Sequence, residues 1–224
     1  MQPTIKVLNR NELTQAQLAQ FNIFKENLLD WNNRMNLTAI TDEEGIWYKH
    51  FADSLTILPF LPAASEENPV RVIDVGTGAG FPGLPVKIMR PDICLTMLDS
   101  LRKRIFFLED TAARLGLCDV ECIHARAEDL SKHNDHRAGY DIVTARAVAK
   151  LDKLCKWCLP FLKPDGLFLA MKGPNIKDEV KETESEIYKL GGKVADIQYV
   201  EIMPGLVHSI VVICYTKNQA VLST

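Results

Sequence analysis

The chain has 224 residues, 47% hydrophobic and 25% charged, with a formal net charge of −3. That length suits one α/β domain with an appendage and a sizeable core, and the negative balance argues against indiscriminate coating of nucleic acid. No apolar run reaches membrane-spanning length, residues 1–10 show no charged-then-apolar leader, and six irregularly spaced cysteines do not form a secreted disulfide framework, so a reducing cytoplasm is expected.

Residues 12–35 read as a helix. Leu18, Phe21, Phe24, Leu28, Trp31 and Met35 recur at steps of three or four and make one apolar stripe. Thr14 with Gln17 three residues on has the form of a capping box. A short helix over 43–60 follows. The proline-, Ser- and Glu-containing stretch 59–69 reads as a linker, so the expected division is a helical extension 1–65, a main domain 66–217 and a tail 218–224.

From residue 70 strand and helix patterns alternate. Strands are expected at 70–75, 93–98, 120–124, 140–145 and 167–171, and helices at 83–89, 101–115, 150–162 and 176–190. Ser100 is the expected N-cap and Gly116 the stop of the helix over 101–115, and Pro164-Asp165-Gly166 is expected to end the helix over 150–162. Strands 194–202 and 209–215 leave no room for a helix between them, so they must be antiparallel. The pattern implies a Rossmann-like α/β fold: a mostly parallel, doubly wound sheet closed by an antiparallel hairpin. In such sheets ligands bind beyond the carboxyl ends of the strands. Asp74 to Gly83, Asp99, Ala127-Glu128 and Arg146 all fall just past expected strand ends.

The glycine turn carries the chemistry. An apolar strand runs into Asp74-x-Gly76-x-Gly78-x-Gly80-Phe81-Pro82-Gly83, which lets backbone approach a ligand closely ahead of a helix N-terminus. Gly78-x-Gly80-x-x-Gly83 also satisfies the dinucleotide fingerprint, so spacing alone leaves two ligands open. Asp74 at the strand's end would repel a pyrophosphate but not a cationic sulfonium or amino group. Asp99, after the second strand, can accept from both ribose hydroxyls of either ligand. The closing hairpin favours S-adenosylmethionine over a nicotinamide cofactor.

Further runs carry a more specific likeness. Trp31-Asn32-x-x-Met35-Asn36-Leu37-Thr38, Lys49-His50-Phe51-x-Asp53-Ser54-Leu55, the glycine turn, Asp99-Ser100-x-x-Lys103-Arg104 and Tyr140-Asp141-Ile142-Val143-Thr144-Ala145-Arg146-Ala147 resemble the RsmG (GidB) family of bacterial 16S rRNA guanine-N7 methyltransferases. The resemblance spans about residues 13–215. It implies methyl transfer from S-adenosyl-L-methionine to N7 of guanine 527 in the 530 loop, with 16S rRNA or the small ribosomal subunit as partner. The cofactor site it implies has Gly76 and Phe81 in the turn, Asp99 on the ribose, Ala127 and Glu128 beside adenine, and Arg146; the reading of the turn and strand ends adds Asp74, Gly78, Gly80 and Ser100 as candidates. Many members carry an arginine before the last strand and a basic, proline-containing tail; His208 stands near that arginine's place here, and residues 218–224 lack such a tail.

Guanine N7 already carries a free lone pair, so no general base is required and no catalytic triad is expected. The task is positioning. Arg146, Lys172 and Asn175 are candidate donors that orient the base through its O6; a solvated strand end is the alternative for Lys172. Phosphate contacts are expected from Arg102, Lys103, Arg104, Lys150, Lys153 and Lys156. Charge is segregated in support of this: residues 146–172 carry six Lys or Arg against two acids, and 178–186 carry five acids against Lys181. His50 and Asp53 are expected to pin the N-terminal helices to the sheet domain, with cofactor or RNA contact as the alternative. Trp47 and Tyr48 are expected in the core packing of the second helix, with stacking on a base as the alternative. Cys155-x-x-Cys158 has no second pair at metal-binding spacing, so buried thiols and no metal are expected. A monomer is expected. The alternatives are a methyltransferase on another nucleotide or a small molecule, an RNA-binding assembly protein with a decayed cofactor site, and an NAD-dependent oxidoreductase.

Overall fold

The structure, a computed structural model, describes residues 5–65, 67–146 and 149–216. The tail expected at 218–224 lies outside the described residues, as do Ala147 and the domain boundary at residue 66.

The N-terminal extension opens with a single 310 turn, Arg10–Glu12, and then α1, Gln15–Met35. The capping box forms as expected: Thr14 Oγ1 accepts from the Gln17 amide at 3.2 Å and Gln17 Oε1 accepts from the Thr14 amide at 3.0 Å. The helix ends on Asn36 in the left-handed region, φ +51°, a conformation asparagine tolerates. The helix expected over 43–60 is broken into α2 (Glu43–Gly45), a π-helical run (Ile46–Ala52), α3 (Asp53–Leu55) and a 310 turn (Leu58–Phe60).

The main domain alternates β1 (Arg71–Val75), α4 (Gly83–Met89), β2 (Cys94–Asp99), α5 (Arg102–Arg114), β3 (Val120–His124), α6 (Ala127–Leu130), β4 (Tyr140–Arg146), α7 (Leu151–Cys158), β5 (Leu162–Lys172), α8 (Lys177–Lys189), β6 (Gly192–Met203) and β7 (Leu206–Tyr215). The seven strands form one sheet in the order β3-β2-β1-β4-β5-β7-β6. The first five are parallel, and β7 is antiparallel to both β5 and β6. The order reverses between β1 and β4, which opens a crevice at their carboxyl ends.

The sheet separates two apolar layers. Phe21, Phe24, Trp47 and Phe51 of the extension join Val72, Leu84, Leu95 and Phe107 on one face. Ile73, Val143, Leu154, Cys155, Cys158 and Phe161 pack on the other. The extension therefore contributes to the main core. Cys155 and Cys158 are fully buried among those residues, and burial pushes the Cys155 thiol up to about 12. Among the described residues no helix is long and apolar enough to cross a membrane, and no group of three or more His, Cys, Asp or Glu is placed to hold a metal ion.

Two local expectations are corrected. Ser100 does not cap α5: the residue before the helix is Leu101, whose amide donates at 2.9 Å to Asp99 Oδ1. Pro164-Asp165-Gly166 does not simply end a helix. It lies within β5, where Asp165 has φ +63° and the pairing with β4 shifts register, so the strand absorbs the turn residues as an irregularity. The α7 helix stops earlier, in a 310 turn at Leu159–Phe161.

Candidate functional site

The glycine turn follows β1 directly. Gly76, Gly78 and Gly80 all have positive φ, at +71°, +62° and +84°, which explains glycine at each. The Gly76 and Thr77 amides donate to the Leu98 carbonyl at 2.8 and 3.1 Å, stitching the turn to the end of β2. The Gly78 amide donates to Asp99 Oδ2 at 3.0 Å.

Asp74 is placed differently from the expectation that it faces the ligand. It is fully buried beneath the turn. Its Oδ2 accepts from Thr77 Oγ1 at 2.6 Å and from the Gly83 amide at 2.9 Å, while Oδ1 has no partner among the described residues. A Cβ on residue 83 would meet this carboxylate at 3.0 Å. Asp74 thus ties the turn to the first residue of α4, and burial raises its pKa from 3.8 to about 6. Gly80 is likewise buried. Both shape the turn from within.

Three adjoining cavities follow along the rim. The first, about 200 Å³, is walled by Val75, Leu98, Ala125, Ala127 and Trp157, with Gly76, Asp99, Ser100, Arg126 and Glu128. The second, about 380 Å³, begins at the shared Gly76 and includes Thr77, Gly78, Phe81, Thr38, His50, Arg104 and Arg146. The third, about 610 Å³, shares His50 and Arg146 with the second and adds Asp53, Lys172, Met171, Leu206 and His208. The first has apolar walls suited to a flat base, with Asp99 in its lining. The second is polar and carries two guanidinium groups.

A polar cluster divides the second cavity from the third. Arg146, at the end of β4, donates from Nη1 to Asp53 Oδ2 at 2.9 Å and to the Lys49 carbonyl at 3.1 Å. Its guanidinium lies over the Phe81 ring at 4.9 Å, and the His50 ring stacks on Phe81 at 4.6 Å. His50 Nε2 is 2.8 Å from Thr38 Oγ1, and the Thr38 amide donates to Asn32 Oδ1 at 2.8 Å. Burial, and then the nearby Arg146, lower the His50 pKa from 6.5 to about 4, so the ring is neutral at pH 7. The other Asp53 oxygen bonds His208 Nδ1 at 2.7 Å, which raises the His208 pKa. Asp53 is 1% exposed and so is a buried carboxylate shared between Arg146 and His208. His50 and Asp53 therefore both pin the extension to the sheet and line the cleft.

The remaining candidates divide. Lys172 lines the third cavity, but its Nζ donates to the Ala149 carbonyl at 2.9 Å and pairs with Glu179 at 3.0 Å. Asn175 is exposed in the loop after β5, outside the described lining of that cavity. Arg102 and Lys103 are exposed at the start of α5, as are Lys150 and Lys153 at α7. Lys156 is exposed but pairs with Glu186 of α8 at 3.3 Å. Arg104 does not share the outward face of its neighbours. It turns inward to Asp99 Oδ2 at 3.1 Å, since that position on α5 overlooks the end of β2. Trp157 and Thr38 were not singled out by sequence as cleft residues; the likeness carried by Asn36-Leu37-Thr38 was the one signal for the second of them.

Residues 17–204 match the model of a family described as GidB: rRNA small subunit methyltransferase G. The chain is 47% identical over 187 residues to Ribosomal RNA small subunit methyltransferase G of Clostridium kluyveri, covering 84% of this chain and 78% of that protein. It is 46% identical over 208 residues to the protein of the same name from Clostridium novyi, covering 92% and 84%. Its fold is similar to that of M. jannaschii TYW2 in complex with AdoMet, with a TM-score of 0.58, 17% identity, and coverage of 80% of this chain and 78% of that one.

Proposed function

The chain belongs to the rRNA small subunit methyltransferase G family, and from that premise we propose that its cleft binds S-adenosyl-L-methionine and directs methyl transfer to N7 of a guanine in 16S rRNA, guanine 527 by the resemblance. The observation that carries this reading is the run of three cavities along one rim, divided by the Phe81–His50–Arg146 cluster.

The residues fit the cofactor. The first cavity offers apolar walls to adenine and the Asp99 carboxylate to the ribose. The second offers its two guanidinium groups to the carboxylate of the cofactor's amino-acid part. When bound, the cofactor supplies an electrophilic methyl group on a sulfonium. Asp53 offsets the charge of Arg146, which lowers the repulsion a cationic group would meet beside it.

The third cavity is the proposed seat of the guanine. Arg146 and Lys172 are the proposed donors to its O6, leaving N7 unprotonated and free. Asn175 has no part in this reading. His50 is neutral and held by Thr38, so it shapes the passage between cavities as a rigid apolar face. No residue is required to remove a proton. The chain's contribution is alignment and exclusion of water, together worth several kcal/mol, with an upper range of about 7–11 kcal/mol for well-oriented reactants. Arg102, Lys103, Lys150 and Lys153 are the proposed phosphate contacts, with the enzyme acting in the cytoplasm as a monomer and without a metal.

The test is transfer from labelled S-adenosylmethionine to small-subunit particles and naked rRNA from cells lacking this methylation. Label in 16S rRNA is expected in at least one of the two. Label in neither, with the folded protein present, contradicts the proposal.

A further inference from the structure

Asp99 is the acid expected to hold two ribose hydroxyls, and its carboxylate is already occupied. Oδ1 accepts from the Leu101 amide at 2.9 Å; Oδ2 accepts from the Gly78 amide at 3.0 Å and from Arg104 Nη1 at 3.1 Å. A carboxylate offers about four lone-pair positions, so a single position is left where a diol needs two. The two amides are backbone, fixed by the glycine turn and by the start of α5. The guanidinium is the partner that can leave: Arg104 is 37% exposed and rides on a flexible stem, whereas Asp99 is 2% exposed.

Arg104 also has somewhere to go. It lines the second cavity together with Gly78, Phe81 and Arg146. Arg146 is committed there to Asp53 and the Lys49 carbonyl. Released from Asp99, Arg104 would be the guanidinium in that cavity with its donors free. A carboxylate entering the cavity would match its planar fork.

We propose that Arg104 is a carboxylate-binding residue that exchanges partners on cofactor entry: the ribose takes the Asp99 position it holds, and the guanidinium turns to the α-carboxylate of the cofactor's amino-acid part. The proposal rests on reading this cleft as an S-adenosylmethionine site. It makes Arg104 a specificity device as well as a contact. A nucleoside without a carboxylate must evict the guanidinium from Asp99 and offers it no new anion, so the cleft favours ligands that carry both the diol and the acid.

Calorimetric titration of the full chain with S-adenosylhomocysteine and with 5′-methylthioadenosine, which has the same nucleoside but no amino-acid carboxylate, tests this directly. The variants are Arg104→Gln and Arg104→Lys, with thermal melting to confirm that each folds. Arg104→Gln is expected to weaken S-adenosylhomocysteine binding about tenfold or more, and to leave 5′-methylthioadenosine binding unchanged or tighter because Asp99 is freed. Arg104→Lys, which keeps the charge but not the fork, should fall between. Equal loss of both ligands in Arg104→Gln, or loss of neither, overturns the exchange while leaving the cofactor reading intact. A wild-type chain that binds neither ligand overturns the cofactor reading, and the exchange with it.

Discussion

Asp74 and His50 titrate over the same span with opposite consequences. Burial raises the Asp74 pKa from 3.8 to about 6, so its contribution to stability is full below pH 3.8 and is lost as pH rises through about 6. The His50 pKa falls from 6.5 to about 4, so its contribution is full above pH 6.5 and is lost as pH falls through about 4. Each amounts to roughly 3 kcal/mol at most, and the two largely cancel in the wild type. Asp74→Asn removes one side of this balance while keeping an oxygen for Thr77 and Gly83. Its stability should fall more steeply than the wild type's between pH 6.5 and 4, by about 2–3 kcal/mol, in denaturant titrations at each pH; parallel curves contradict the assignment. Asp53 holds Arg146 and His208 together. Asp53→Asn leaves the Arg146 guanidinium with a weakened partner and should cost about 3–5 kcal/mol. The His208 contribution is present below pH 6.5 and lost as pH rises through its raised value, and an NMR titration should show that value dropping in Asp53→Asn.

Local chemistry explains which elements could be read in advance. The α1 capping box needs only Thr14 and Gln17, both in one turn. Thr14→Ala should cost about 1 kcal/mol by thermal or chemical denaturation, and an unchanged midpoint would remove the cap from the account. The glycine turn and Gly116, with φ +63°, are equally local. The break of the helix over 43–60 is not. Its π-helical run leaves the Lys49 and His50 carbonyls facing Arg146, which is almost a hundred positions along the chain, and no periodicity within residues 43–60 encodes that partner. Ser100 failed as a cap for a similar reason. Asp99, one residue earlier, is turned by the β2 end to accept from Leu101. The same acid draws Arg104 inward, where sequence grouped it with its exposed neighbours. α6 has four residues, too few for a helical repeat to register.

The whole-molecule pattern was the most legible part. Alternating strands and helices, then two strands without a helix between them, imply a mostly parallel sheet closed by an antiparallel hairpin, and the structure adds the strand order with its reversal between β1 and β4. Sequence left open whether His50 and Asp53 pin the extension or line the cleft, and with Thr38 they do both, because side chains that meet across the sheet's rim share no spacing rule. Charge acts at this scale too. Arg102, Lys103, Lys150 and Lys153 are exposed, and as phosphate contacts each Ala replacement should weaken RNA binding across sequences and reduce the slope of log affinity against log salt by about 0.7–0.9. A slope unchanged in all four variants would move the RNA to another face. The claim that joins these scales is that the third cavity presents guanine N7 to the methyl group. Chain cleavage at N7-methylguanine in 16S rRNA treated with the enzyme and S-adenosylmethionine measures it. A single new cleavage site, at guanine 527, is the expected result; methylation on another atom or another nucleotide would contradict it.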